Sequence, residues 1–298
     1  MKKIVFMIVA FVLSLSLVAP APAWSKSSSE VSSKAVKSAE AEAQDQQAKV
    51  IKEAVDALFL THQVLRDLDK KDRDQAVKDL EKAIGKLEVV LASSEAPSML
   101  PIDTSVVAVE YLGDLKSVRE NLVLVRKYLK DSKVQAARRL LDKLRSEIDV
   151  VTVSLPLASY PQALKLAARY LHEEKADEAR DVLEMALTTL VRDEVVIPVP
   201  LLKAEALVEE ARKVAKKDKD QALKHLDAAR NELKLAEALG YASTSDTTYK
   251  MLDEAVTSVE KEIKGKNRAE KLFAALKEKL KEFKARAVKT FSGVKGDK

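Results

Sequence analysis

The chain has 298 residues, of which 47% are apolar, 33% charged and 4% aromatic, with 6 glycines, 8 prolines and no cysteine. That apolar content excludes wholesale disorder, the scarcity of glycine and proline excludes an all-β fold built on many tight turns, and the lack of cysteine excludes disulfides and thiolate metal sites. The formal net charge of +5 sits at one end: residues 261–298 hold 13 Lys/Arg against 5 Asp/Glu, whereas residues 24–260 hold 37 against 42, so the basic pI is no argument for nucleic-acid binding by the body.

The first predicted element is a leader. Met1-Lys2-Lys3, an apolar run over 4–18 and Ala21-Pro22-Ala23 match the charged, hydrophobic and small-residue parts of a signal peptide. Cleavage is expected after about Ala23, giving a periplasmic or otherwise exported product. Three regions follow from this: 1–23 as signal peptide, 24–245 as a body, and 246–298 as C-terminal helices with a basic amphipathic tail.

From 32 to 68 the pattern is helical, one long helix or two, with Val36, Ala43, Val50, Ala57 and Val64 spaced by sevens. Polar companions such as Glu53 favour a helix packed on its own body over a coiled coil. Lys70-Lys71-Asp72-Arg73-Asp74-Gln75-Ala76 then breaks the pattern, and Asp72 with Gln75 has capping-box spacing. A near copy runs from Lys216 to Ala222. Neither copy has the glycine or distal glutamate of a calcium loop.

Alignment on the alanine after that turn gives four units with a 0, +4, +7 apolar face: Ala76, Leu80 and Ala83; Ala137, Leu141 and Leu144; Ala179, Leu183 and Ala186; Ala222, Leu226 and Ala229. Eight residues before each first alanine stands Leu68, Leu129, Leu171 or Val214, closing the preceding helix. The expected fold is all-α, with about ten helices forming repeated antiparallel hairpins. The alanine signature is similar to the second helix of a tetratricopeptide repeat, which raises a peptide-binding scaffold as an alternative, although the unit spacing does not match that family's 34 residues.

The hairpins are joined by short extended connectors that end in proline. Asp149 to Leu157 and Asp193 to Leu201 each place β-branched residues before a proline, which disfavours helix there, and Leu100-Pro101-Ile102 is a shorter echo. Ser159-Tyr160-Pro161-Gln162 predicts a capped helix start, and Gly240 a helix end before the polar loop Ser243-Thr244-Ser245-Asp246. In the tail, Leu272, Phe273, Leu276, Leu280, Phe283 and Phe291 share one face flanked by lysines, the pattern of a helix for a membrane surface, for a partner or for the chain's own acidic body.

No phosphate loop, Rossmann fingerprint or nucleophile elbow is present, and the Ser-x-x-Lys at Ser258 lacks its companion boxes. His62, His172 and His225 are too widely spaced for a local metal site. The sequence therefore reads as non-enzymatic, with no catalytic, cofactor or metal residues. Candidate partner-binding residues are the connector positions Val151, Val153, Leu155, Leu157, Val196, Ile197, Val199 and Leu201, which are too apolar for ordinary exposed loops. The expected partners are proteins or small amphipathic ligands, with a homo-oligomer and a membrane-surface tether through the tail as further roles.

Taken together, the Ala/Leu-patterned helix ending near Leu68, Leu100-Pro101-Ile102, the Tyr128-Leu129 hairpin, the Val-Val-x-Val-x-Leu-Pro-Leu at 150–157 and the hairpin after it resemble the YfdX family of bacterial stress-associated proteins. The resemblance covers roughly 50–239 and rests on structural motifs. It implies a periplasmic, oligomer-forming helical protein with a chaperone-like or ligand-binding role, and it supplies no catalytic residue. The connector at 193–201 and the tail beyond 246 depart from the family's pattern.

Overall fold

A computed structural model of the chain describes residues 26–47, 50–94, 96–242, 247–266 and 268–292. The predicted leader and the 243–246 loop lie outside these residues. In chain order the elements are α1 (Ser28–Gln47), α2 (Lys52–Asp69), α3 (Arg73–Leu91), β1 (Met99–Val109), α4 (Leu115–Lys130), α5 (Val134–Lys143), β2 (Glu147–Pro156), α6 (Tyr160–His172), α7 (Ala176–Thr188), β3 (Val191–Pro198), α8 (Val199–Val214), α9 (Lys219–Ala238), α10 (Thr247–Lys264) and α11 (Glu270–Ser292). The fold is mostly helical. The 32–68 pattern forms two helices, α1 and α2.

The three proline-containing connectors form strands, which corrects the all-α expectation, and Val199, Pro200 and Leu201 at the end of the third already belong to α8. They form one antiparallel sheet in the order β1-β2-β3, with Val150 opposite both Val106 and Val195. The run before each proline is extended, as its β-branched residues require. Pairing follows because isolated extended backbone inside a protein leaves N–H and C=O groups unsatisfied, and three such segments satisfy one another. Pro101 lies on an edge strand beside a register shift, where its missing N–H breaks no interior ladder.

Helix pairs α2/α3, α4/α5, α6/α7 and α8/α9 pack against each other across short turns. In the first three pairs the turn places a non-glycine residue in the left-handed region: Lys71 (φ 60), Ser132 (φ 57) and Glu174 (φ 63). Each sits three residues after the helix-closing leucine and donates its N–H to that leucine's carbonyl, while the next N–H reaches back one residue further. Gly240 (φ 90) ends α9 in the same way, donating to Glu237 O while Tyr241 N–H donates to Ala236 O, a Schellman ending. Asp72 and Asp218 cap α3 and α9 by accepting from Gln75 N–H and Gln221 N–H. Ser159 does not cap α6 through its side chain, so that predicted box is not formed. Tyr160 and Pro161 begin the helix buried, and Pro161 presets the first turn.

Apolar side chains gather in three clusters. One holds α2, α3, α6 and α7 together with Leu100, Ile102 and Leu155 from the sheet, and Tyr160 is fully buried within it. Burial pushes the Tyr160 phenol up to about 12, eased by the neighbouring Thr61 hydroxyl. A second joins α8 and α9 to α10, α11 and Val31 of α1. The third, around Val36, Ala43, Ile148 and Val199, fixes α1 over one face of the sheet, so the sevenfold spacing of α1 is used within the chain.

Candidate functional site

Side chains on a strand alternate between faces, so β2 divides the predicted connector residues into two sets. Val153 and Leu155 face the α2/α3/α6/α7 cluster, where Leu155 is fully buried, and Leu157 packs on the same cluster just past the strand. Val151, on the same parity, is half-buried, and its neighbour on β3 is Glu194. The opposite face presents Ile148, Val150 and Thr152, with Val195 and Ile197 from β3 beside them.

In the second connector, Val196 and Val199 are buried, and Leu201 lies inside the α8/α9 cluster. Of the eight connector residues singled out from sequence, Ile197 alone lines the groove described below. Among the tail residues, Phe273, Leu276, Leu280 and Phe283 are buried in the α8/α9 cluster, and Leu272 is exposed. Phe291 belongs to α11, but its side chain lies outside what is described. The apolar face of the tail thus docks on the chain's own body, with α11 contacting α8, α10 and β3.

This docking creates a groove. Between α1, α11 and the sheet lies a hollow of about 460 Å³ whose apolar lining comes from Ala39 and Ala43, Val150, Val195 and Ile197, Leu202, and Val288. Glu42, Thr152 and Lys284 add three polar groups. The volume falls in the range of small-molecule sites, and so does the mixture of an apolar wall with a few polar groups. Along α8 the groove continues into a second hollow of about 310 Å³, sharing Ala39, Glu42, Leu202 and Lys284. A third of about 230 Å³ shares Ala35, Ser38, Ala206 and Glu209. From Leu202 to Lys213 this trench follows α8 for roughly 16 Å, taking the helical rise per residue.

Charge pairs bind the walls of the trench together. Lys284 of α11 is paired with Glu205 of α8, and Lys277 pairs with Glu209 at 3.0 Å. Arg212 also holds Glu209, at 2.7 Å, and these two cations, Arg212 foremost, keep the Glu209 carboxyl down at about 2 against the opposing effect of burial. At its far end, α1 is held by the Ser28 hydroxyl, 3.0 Å from Nδ1 of buried His225. Burial lowers the pKa of that imidazole, with Glu210 and Asp218 opposing.

A different set of titratable groups clusters at the start of β2. Arg145 pairs with Glu147 and Asp149, the Tyr241 hydroxyl donates to Glu147 Oε2 at 2.6 Å, and Ser146 N–H donates to that hydroxyl at 2.9 Å. Burial, then Glu147, raises the pKa of Asp149, and burial raises that of Tyr241. The bonds run between neighbours in the cluster and pin the end of α9 to β2, a clamp in structural terms. Among the described residues no group of three or more His, Asp or Glu is placed to hold a metal ion, and no helix is long and apolar enough to cross a membrane.

Sequence reasoning missed most of the groove. Val150, Thr152 and Val195 were within reach, since period-two alternation would have separated them from Val151 and Val153. Ala39, Ala43, Lys284 and Val288 come from both ends of the chain, and no local pattern joins them to the connectors.

The fold is that of a mostly helical protein with a small three-stranded antiparallel sheet, and the groove lies where α1 and α11 cross that sheet. Residues 57–196, from within α2 to within β3, match the model of the YfdX protein family. Among solved structures the chain is similar to YfdX from Salmonella Typhi, at 14% identity and a TM-score of 0.36, covering 50% of this chain and 93% of that one. No curated protein matches the sequence. The matched stretch supplies Val150, Thr152 and Val195 to the groove, Ile197 of β3 lies just beyond it, and α1, α8 and α11 supply the other walls.

Proposed function

We propose that this chain is a non-enzymatic, exported binding protein of the YfdX type that holds an amphipathic ligand in the groove between the sheet, α1 and α11. The observation that carries this reading is the groove itself: an apolar floor of Val150, Val195 and Ile197 open enough to admit a ligand, with Lys284, Glu42 and Thr152 at hand for a polar head. The stress association and the chaperone-like role implied by the family belong to the same proposal, as does export with cleavage near Ala23. The four hairpins are read as variants of one repeated unit, on the strength of their shared alanine spacing and the common turn in three of them.

The test is displacement of an environment-sensitive apolar dye from the purified protein by a long-chain fatty acid. Dye binding that the fatty acid displaces, and that Val195→Asp weakens by about tenfold or more with the circular dichroism spectrum unchanged, is the expected result, because Val195 is partly exposed in the groove floor. Dye binding unchanged in Val195→Asp, or absent altogether, removes the groove as a site.

A further inference from the structure

One hairpin has the pattern of the others with less cover: in α4/α5, Val118, Val125 and Ala137 are buried while the leucines that the other hairpins bury are not. At the +4 position of the alanine pattern, Leu80, Leu183 and Leu226 are fully buried, whereas Leu141 is 44% exposed. Of the leucines that close the first helix, Leu68 and Leu171 are buried and Leu129 is 50% exposed. The α4/α5 turn has the same backbone as its counterparts, with Ser132 left-handed like Lys71 and Glu174. The exposure therefore reflects a missing neighbour and not a differently shaped hairpin.

In the α2/α3/α6/α7 core such a face is closed by a second hairpin, and in α8/α9 by α10 and α11. The stripes of α2/α3 and α6/α7 bury one another, and ion pairs cross between them from Arg73 to Glu174 and from Arg180 to Asp69. None of the three apolar clusters includes a residue of α4 or α5 among those described, and beyond each other the pair's principal neighbour is α9. Val134 and Leu141, seven residues apart on one face of α5, are 55% and 44% exposed on either side of the buried Ala137. Exposed apolar residues that fall in one stripe mark an interaction site more clearly than scattered ones do.

Charge selects the occupant. Residues 115–143 carry 9 Lys/Arg and 3 Asp/Glu, against 4 and 6 over 160–188. Arg126 and Arg138 stand next to the stripe by helical spacing. A second copy presenting the same hairpin would set like charges against each other, which disfavours self-pairing. A helix fits the stripe because its contacts recur at three- and four-residue intervals, and acidic flanks fit the surrounding arginines and lysines.

We propose that the α4/α5 hairpin is a docking face for an acidic amphipathic helix of a partner protein, seated as α6/α7 is seated on α2/α3. The full chain is titrated with two synthetic helical peptides that carry the same leucine face, one flanked by glutamates and the other by lysines, and with phosphatidylglycerol vesicles. Saturable binding of the glutamate peptide is expected, with the lysine peptide at least about tenfold weaker. Leu129→Glu with Leu141→Glu, at positions already half in solvent, is expected to weaken the glutamate peptide by about tenfold or more while leaving the circular dichroism spectrum and groove dye binding unchanged. Arg138→Glu tests the charge term separately and is expected to weaken it as well. No binding of the glutamate peptide, or equal binding of both peptides, overturns the proposal. So does vesicle binding lost in the double variant while the peptides stay unbound, or self-association that the double variant abolishes.

Discussion

The α2/α3/α6/α7 core and the α8/α9 core both bury alanines seven residues apart with a leucine between them, and they are closed in different ways. The first is sealed by a second hairpin and by the sheet residues Leu100, Ile102 and Leu155. The second is sealed by helices of another pattern, α10 and α11, whose Leu252, Val256, Phe273 and Leu276 fill the place a hairpin takes in the first. The difference shows what the alanine spacing encodes. Small residues at 0, and at +7 in these two cores, let two helices approach, but the leucine at +4 accepts any apolar cover. A unit can then be closed from within the chain, as in these two cores, or left open, as in α4/α5.

The largest expected effect tests that comparison at its centre. Leu183→Ala and Leu226→Ala remove the same pattern position from the two cores, both fully buried, and each is expected to cost about 2–5 kcal/mol, the range for a buried leucine. Leu141→Ala removes it from the open hairpin and is expected to cost about 0.5 kcal/mol or less. Urea unfolding of the three variants, followed by hydrogen exchange to assign the loss to a hairpin, measures the ordering. An α9 substitution as mild as Leu141→Ala would mean that α10 and α11 are only loosely applied to the second core.

A smaller effect comes from Glu232 on α9, where the second core meets Lys203 of α8 and Glu110 after β1. Lys203 pairs with Glu110 and lies 3.9 Å from Glu232. Burial pushes the Glu232 carboxyl up to about 7, with Lys203 opposing and Glu110 reinforcing. A folded-state pKa above the unfolded 4.5 means that the folded form holds the proton more tightly. The associated stability is complete below about pH 4.5 and is lost as pH rises through 7. Glu232→Gln is expected to match the parent near pH 4 and to exceed it by about 1–2 kcal/mol at pH 8, a figure reduced from the full linkage value to allow for remaining solvent contact. Parallel urea midpoints at the two pH values decide it.

The turns allow a gentler test of whether three hairpins share one construction. A non-glycine residue in the left-handed region costs roughly 1 kcal/mol, and glycine relieves it while adding unfolded-state entropy. Ser132→Gly is therefore expected to stabilise by about 0.5 kcal/mol, and Lys71→Gly by a similar amount. Loss of stability in either would mean that its side chain contributes more than the present bonding pattern suggests.

How much of this was legible in the sequence varies by element. The caps at Asp72 and Asp218 and the ending at Gly240 are local signals, carried by residues within one or two turns of each other, and each forms as its pattern implies. The strands were half legible: Val150, Val151 and Val153 before Pro156 require extended backbone, but the choice of β1 and β3 as neighbours depends on residues 37 to 57 positions away. The groove was least legible, because its walls come from α1, the sheet, α8 and α11. Lys284 and Ala39 are ordinary surface residue types that acquire a shared role only when α11 is laid across the sheet.

The smallest effect concerns how α11 is held there. Glu209 of α8 accepts from Arg212 and Lys277, and its carboxyl is depressed from 4.5 to about 2, with the Arg212 bond as the chief cause. A depressed folded-state pKa gives stability that is present above pH 4.5 and fades as the pH falls toward 2. Lys277 is 37% exposed, so screening limits the pair, and Lys277→Ala is expected to cost less than about 1 kcal/mol in low salt. That cost should shrink further in high salt, where Phe273, Leu276 and Phe283 still hold the helix. A loss well above 1 kcal/mol that persists in salt would show that the charge pairs, and not the buried face, fix α11 to α8, and the groove would then open at low pH.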